Sequence, residues 1–292
     1  MISGKKENLI IGYCTLCAGV IIATVFVLIG YLIVKGIRVV DLTLIFGSTR
    51  PLDALLLKRQ VFNGLFPAMV GTMMLIVLAV SIAVPVGIAA GIYMAEYCRG
   101  RLKKTFSLIF DILAGIPSIV VGLSGFSIAI FLHKYVSDDI YPCLLISALA
   151  LAFLVLPYLI RATQMSLESL PEAIRLTGPA LGATKLQNIA YILIPRSLSG
   201  IVSGVILAIG RCAEDTAVIM LTGVVATAGV PKSLFAGYEA LPFYIYYISS
   251  QYADRQELLQ GYGAALILLA ICAVLFMTAY WIRNRLSNKA FY

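Results

Sequence analysis

An arginine and two acids stand together in Gly210-Arg211-Cys212-Ala213-Glu214-Asp215-Thr216-Ala217, inside an otherwise apolar run. An ionised side chain at mid-bilayer costs at least ~2.5–3.5 kcal/mol, so such groups face one another or a wet cavity. Arg211 lies three and four residues before Glu214 and Asp215, a spacing that lets them pair on one helical face. A guanidinium fork matches a tetrahedral oxyanion better than an ammonium does. Arg211 is thus a candidate anion contact, with Glu214, Asp215 and Thr216 around it.

A second arginine, Arg161, closes the run Leu156-Pro157-Tyr158-Leu159-Ile160. By charge rules it is an interfacial anchor whose stem lies along apolar surface. Asp111, near the start of another apolar run, is a candidate partner for either arginine, or simply a helix-end residue. A third place is Gly115-Ile116-Pro117-Ser118, which interrupts the helical ladder. Such a break survives in a membrane only within protein or beside a cavity. Helix N-termini favour anions, so Ser118 joins the candidate path, and a packed kink is the competing reading.

Other chemistries find no support. The chain has no G-x-x-x-x-G-K-[ST], no HExxH, and His133 is its one histidine. Cys14, Cys17, Cys98, Cys143, Cys212 and Cys272 lack metal or disulfide spacing and read as small packing residues. Neither catalysis nor a cofactor or metal of its own is expected.

The elements that must hold these residues are membrane helices. Of 292 residues 61% are hydrophobic and 12% charged, with mean hydropathy +0.98. Soluble domains carry roughly 25% charged residues. Apolar runs of the ~20 residues that span a bilayer recur, without the ~10-residue alternation of a membrane barrel. We expect an all-α integral membrane protein with six transmembrane helices, at Leu9–Val34, Leu65–Tyr97, Phe106–Leu132, Pro142–Ile160, Leu198–Gly223 and Tyr262–Trp281. The first run is too long for a signal peptide and should stay as an anchor.

An even number of spans puts both termini on one side. Lys5, Lys6, Arg99, Arg101, Lys103, Lys104, Arg161, Arg175, Lys185, Arg196, Arg283, Arg285 and Lys289 share that side. They outnumber Lys35, Arg38, Arg50, Lys58, Arg59, Lys134, Lys232 and Arg255 opposite, which places the termini in the cytoplasm. The net charge of +8 therefore reads as a topology signal rather than a nucleic-acid footprint.

In the second span, Gly87 and Gly91 form a small-xxx-small pair that lets helix backbones approach closely, and Pro85 should kink the helix unless its neighbours compensate. Leu241-Pro242-Phe243-Tyr244-Ile245-Tyr246-Tyr247 is too short to span. It suits an interfacial or re-entrant helix, serving either as an aromatic belt or as contact with an outer partner.

The longest polar segment, Arg161 to Pro195, reads as structured. Pro171 suits a helix start, Gly182 a tight turn, and Thr184 with Gln187 a capping box that begins a second helix at about Lys185. This is a helix, a turn and a helix standing outside the membrane.

The segment resembles the coupling loop of ABC importer permeases. Gly182, Ile192, Ile194 and Pro195 fall on that pattern, and Leu181-Gly182-Ala183-Thr184-Lys185 is similar to the phosphate-importer branch. The resemblance implies that the loop docks on a separate ATPase, through Glu172, Arg175, Leu176, Gly182, Ala183 and Thr184. Two positions depart from the pattern: Leu176 replaces a glutamate, and Gly178-Pro179 replaces an alanine and its successor. Proline inside a helix costs about 3 kcal/mol, so the first loop helix should be short or kinked. The 210–217 segment is similar to the family's Gly-Arg-Ala-x-Gly-Glu-Thr at Arg211, Thr216 and Ala217, with Glu214 as an extra acid. Arg161 matches an arginine that lines the family's translocation path.

By this resemblance, residues 1–64 hold a peripheral N-terminal helix and an outer loop. Residues 65–285 hold a five-helix permease core with its coupling loop at 161–196, and 286–292 form a cytoplasmic tail. The implied function is the inner-membrane permease subunit of an ATP-driven phosphate importer. Its implied partners are a second similar permease, a pair of ATP-binding subunits, an outer phosphate-binding protein and the lipid bilayer. Three alternatives stand: a permease for sulfate, molybdate, tungstate or an organic anion; a proton-coupled secondary transporter; and a non-transporting membrane sensor.

Overall fold

The computed structural model describes residues 4–56, 61 and 64–289. The chain is helical, and the strand-like pairing among these residues is one isolated bridge between Val224 and Tyr238. In order come α1 (Gly4–Gly36), α2 (Leu42–Phe46), α3 (Pro51–Leu55) and α4 (Phe66–Ile92), which runs on through a π-helical turn at Tyr93–Tyr97. Then follow α5 (Gly100–Ala114), α6 (Ser118–Tyr135), α7 (Leu144–Glu168), α8 (Glu172–Ala180) and α9 (Lys185–Asn188). A second π-helical turn at Ile189–Leu193 leads into α10 (Ile194–Glu214), then α11 (Thr216–Thr222), α12 (Leu241–Gln251) and α13 (Arg255–Lys289).

Among the described residues six helical stretches are long and apolar enough to cross a bilayer: Asn8–Gly36, Phe66–Tyr97, Ser118–Tyr135, Leu144–Glu168, Lys185–Glu214 and Arg255–Arg285. The expected number holds, and several boundaries move, those of the third and fifth spans furthest. The third span begins at Ser118, because Gly115-Ile116-Pro117 separates it from α5, an amphipathic helix with no buried residue. The fifth belongs to a helical stretch that runs unbroken from Lys185, in the loop, to Glu214. Pro195 sits in the first turn of α10, where a missing N–H costs nothing, instead of closing the loop.

α7 is the axis of the core. Leu144, Leu151, Val155 and Leu159 on it are fully buried, and α4 and α10 pack on either side. The expected small-residue pair sets the first contact: a Cβ at Gly87 would meet Leu159 Cβ at 2.7 Å, and one at Gly91 would meet Thr163 Cβ at 2.5 Å. α4 continues through Pro85 as one helix. Gly204 on α10 repeats the device against Ala162, at 2.5 Å. Shaving Cβ atoms brings backbones together where lipid supplies no hydrophobic drive between helices.

α1 stands at the edge with none of its apolar window buried. It leans on α13 at Gly36, whose added Cβ would sit 2.8 Å from the Tyr262 carbonyl, and through Tyr31 edge-on to Tyr262 at 5.8 Å. The segment 224–240 lies across helix starts: Leu144 and Leu145 N–H donate to the Ala236 and Leu234 carbonyls, and Leu241 N–H donates to Thr72 Oγ1 at 2.9 Å. The short Tyr-rich helix is α12, eleven residues long. Lys58, Arg59 and residues 290–292 of the tail lie outside the described residues.

Candidate functional site

Arg211 lies on the last turn of α10 and opens into a cavity of about 650 Å³ between α7, α10 and α13. Tyr158, Ser203, Gly210, Glu214 and Phe276 share its walls. The expected pairing with the acids is partly realised. Nη1 donates to Glu214 Oε1 at 2.8 Å, whereas the Asp215 carboxylate stays 4.0 Å from Nη2. Arg211 Nε is buried without a hydrogen-bond partner. The guanidinium thus opens on the cavity while its Nε stays buried behind it, and an arginine lining a cavity inside a span is a candidate anion contact.

The two acids do different work. Asp215 is buried and accepts from Val218 N–H at 3.0 Å, so it caps α11 at the point where the chain leaves the α10 helix. Glu214 is largely exposed and serves as the internal counter-ion of Arg211. Doubling the acids therefore leaves one carboxylate hydrogen-bonded to the guanidinium and the second at 4.0 Å.

Arg161 is fully engaged. Its Nε and Nη2 donate to Asp111 Oδ1 at 3.1 and 2.5 Å. Nη2 also meets the Ser107 carbonyl at 2.9 Å, and Nη1 reaches Gln164 Oε1 at 3.2 Å. Gln164 in turn donates to Glu168, which pairs with Lys103 at 2.7 Å. These polar contacts fasten α5 to α7 beside the apolar packing of Phe110 against the cluster of Met94, Cys98 and Ile160. One turn before Arg161, Tyr158 Oη donates to the Ala114 carbonyl at 3.1 Å, at the end of α5. Tyr158 also lines the Arg211 cavity, so a row of polar groups descends α7 from that cavity to Arg161. Ser107, Tyr158 and Gln164 were not singled out from sequence, because their partners lie 44 or more residues away or look like ordinary surface polarity.

Ser118 and Thr216 each open a helix after a break. α6 and α11 are packed so closely that a Cβ at Gly122 would lie 3.0 Å from the Ala217 carbonyl, and one at Gly125 2.8 Å from Thr222 Cγ2. The two breaks are thus neighbours, and Ser118 begins α6 without a side-chain cap. Among the described residues no cluster of His, Cys, Asp or Glu gathers as a metal site.

The loop beyond α7 folds as its spacing predicts. α8 follows Pro171, Gly182 turns at φ 79°, and Thr184 and Gln187 cap each other reciprocally, at 3.3 and 2.8 Å. Gly178-Pro179 is accommodated in an unexpected way. Pro179 cannot donate to the Arg175 carbonyl four residues back, and Asn188 Nδ2 takes that acceptor at 2.9 Å. Gly178 makes room for it, since a Cβ there would lie 2.4 Å from Asn188 Oδ1. α8 ends at Ala180. Glu172, Leu176, Gly182 and Thr184 face outward, and Ala183 is half-buried. Leu181 and Tyr191, 82% and 79% exposed, add apolar surface to this polar loop. Arg175 turns inward, to Glu96.

A family described as "Binding-protein-dependent transport system inner membrane component" matches residues 87–289. The chain is 34% identical over 229 residues to a phosphate transport system permease protein, PstA 1, of Mycobacterium tuberculosis, covering 78% of this chain and 73% of that one. It is 34% identical over 245 residues to PstA of Yersinia pestis, covering 83% and 78%. Among solved structures, a chain of a bacterial alginate ABC transporter in complex with an alginate pentasaccharide-bound periplasmic protein aligns over 98% of both chains. Its TM-score is 0.68 at 15% identity, a likeness of fold.

Proposed function

The chain belongs to the family of binding-protein-dependent transport system inner membrane components, and from that premise we propose that it is the permease subunit of an ATP-driven phosphate importer. It spans the membrane several times and works with a separate ATPase and a binding protein. The observation that carries the cargo is the identity to phosphate permeases of two organisms over most of the chain. Arg211, a guanidinium lining a cavity between α7, α10 and α13, is the chemistry such a cargo needs.

In this reading phosphate passes beside Arg211, Tyr158 and Arg161, with Ser118 and Thr216 at the neighbouring helix breaks. Glu214 holds the Arg211 guanidinium until an anion displaces it, and Asp215 keeps α10 and α11 in register. The exposed face of Glu172, Leu176, Gly182, Thr184, Leu181 and Tyr191 docks on an ATPase in the cytoplasm, where both termini also lie. α1 and residues up to 64 form a peripheral unit on a core spanning 65–285. A second permease of the same family completes the path, and an outer phosphate-binding protein delivers the anion.

The test is labelled phosphate uptake into vesicles holding this chain with its permease partner, ATPase pair and binding protein, with and without internal ATP. ATP-dependent uptake that is lost in Arg211→Ala at equal expression supports the reading. ATP hydrolysis without phosphate movement rejects phosphate as cargo, and sulfate, molybdate and tungstate are then tried. Uptake that collapses with the proton gradient rejects the ATP-driven mechanism.

A further inference from the structure

The cytoplasmic loop is tied by an ion pair to the inner end of α4, far from it in sequence. Glu96 sits in the π-helical turn that ends α4. Its side chain is 11% exposed, and Arg175 of α8 approaches it at 2.6 Å. The other guanidinium arm of Arg175 holds the Leu167 carbonyl near the end of α7. Lys185 of α9 donates to the Glu96 carbonyl at 2.6 Å and lies over the Tyr97 ring at 4.1 Å. Asn188 then ties α9 back to α8 through the Arg175 carbonyl. Both helices of the loop therefore converge on one turn of α4.

We infer that Glu96 is a positioning residue that gears the loop to α4, so that a push on α8 and α9 moves α4 and α7 as well as α10. The inference rests on the proposed function and adds its transmission route. Without the Glu96 side chain the loop reaches the spans through its covalent paths into α7 and α10 and through the apolar cluster of Leu167, Ile174, Ile189 and Leu193, which takes in Ile92 and Ala95 at the end of α4. Glu96 adds a charged tie to these, and a shielded charge pair resists being pulled apart: separating it leaves an unpaired charge in a low-dielectric setting. α4 passes the motion on as a unit with α7, since Gly87 and Gly91 lock the two backbones together. The π-helical turn suits a joint, because its altered hydrogen-bond register sets this turn apart from the helix before it. A route for coupling is a physical claim only if breaking it changes coupling itself.

The experiment uses the whole reconstituted importer and reads phosphate moved per ATP hydrolysed. Glu96→Gln keeps the size of the side chain and removes its charge. The expected result is ATPase binding and ATP turnover near the unmodified level, with phosphate per ATP down about tenfold, within the range of measured coupling energies. An unchanged ratio overturns the inference. If Glu96→Gln fails to assemble, Arg175→Lys takes its place: it keeps the charge but loses the fork that joins Glu96 to Leu167. A reduced ratio in that variant supports the gearing, and an unchanged one leaves Glu96 a structural residue only and overturns it. An unmodified complex that hydrolyses ATP but moves no phosphate counts against the proposed function, not against this route, which the binding-protein-stimulated ATPase rate then reads: loss of stimulation in Glu96→Gln supports it, and full stimulation overturns it.

Discussion

Asp111 accepts two hydrogen bonds from Arg161 through a single oxygen, and this contact joins α7 to a helix that buries none of its residues. Asp111 is well exposed, so the pair adds only ~0.2–1 kcal/mol to stability. Its effect is on α5. Asp111→Asn should move the melting temperature by no more than ~2–4 °C, while amide exchange across Gly100–Ala114 speeds up. Unchanged exchange would show that lipid or a partner, not Arg161, holds α5.

The contact between α4 and α7 has no such slack. At Gly91 an added Cβ meets both Thr163 Cβ at 2.5 Å and the Ile160 carbonyl at 2.8 Å, and the second is backbone that cannot swing away. Gly91→Ala should cost about 1–3 kcal/mol by overpacking, read as a lower melting temperature in detergent. Gly12→Ala on α1, with nothing within 4 Å, is the control and should be neutral. Equal effects would remove the close-packing account.

What was legible in the chain was what is local. Thr184 and Gln187 cap each other at the spacing that announces a capping box, Gly182 turns where a glycine stands between two helical runs, and Gly87 and Gly91 meet α7. What was not legible depends on distant partners. Arg175 reads as a surface charge of the loop until Glu96, 79 residues earlier, is folded against it. Asn188 has no evident task until Pro179 vacates the Arg175 carbonyl. From sequence, α5 reads as continuous with α6 because its apolar face has the composition of a membrane helix. Only the count of buried neighbours separates an amphipathic helix lying on a core from one passing through it.

Asn188 and Pro179 should be energetically coupled. In the unmodified chain Asn188→Ala leaves the part-buried Arg175 carbonyl without its donor, a cost of about 1 kcal/mol. In a Pro179→Ala background the restored N–H can serve that carbonyl, so the same change should cost clearly less. A double-mutant cycle on protease resistance of the 172–188 loop measures the difference. Additive effects would mean that Asn188 does not stand in for the missing helical bond.

The segment 224–240 carries a pH dependence of its own. Glu239 accepts from Ala228 N–H at 3.0 Å and Gly229 N–H at 2.7 Å, which lowers its pKa, but burial outweighs both and holds the carboxyl above its ordinary value. For an acid whose folded pKa is raised, the folded state binds the proton more tightly than the unfolded one. Its stabilising share is therefore full below the ordinary carboxylate range, ~4.3, and is lost as pH rises through the raised value. The segment should open more readily toward neutral pH, seen as faster protease cleavage after correction for the protease's own pH profile. Glu239→Gln keeps an acceptor for both N–H groups and carries no charge, so it should flatten that profile and hold the segment closed at neutral pH. A profile with the same slope in Glu239→Gln would assign the opening to another group. Because this segment ties the start of α7 to Thr72 on α4 through Leu241, a flattened profile should also appear as slower amide exchange at Leu144 and Leu145.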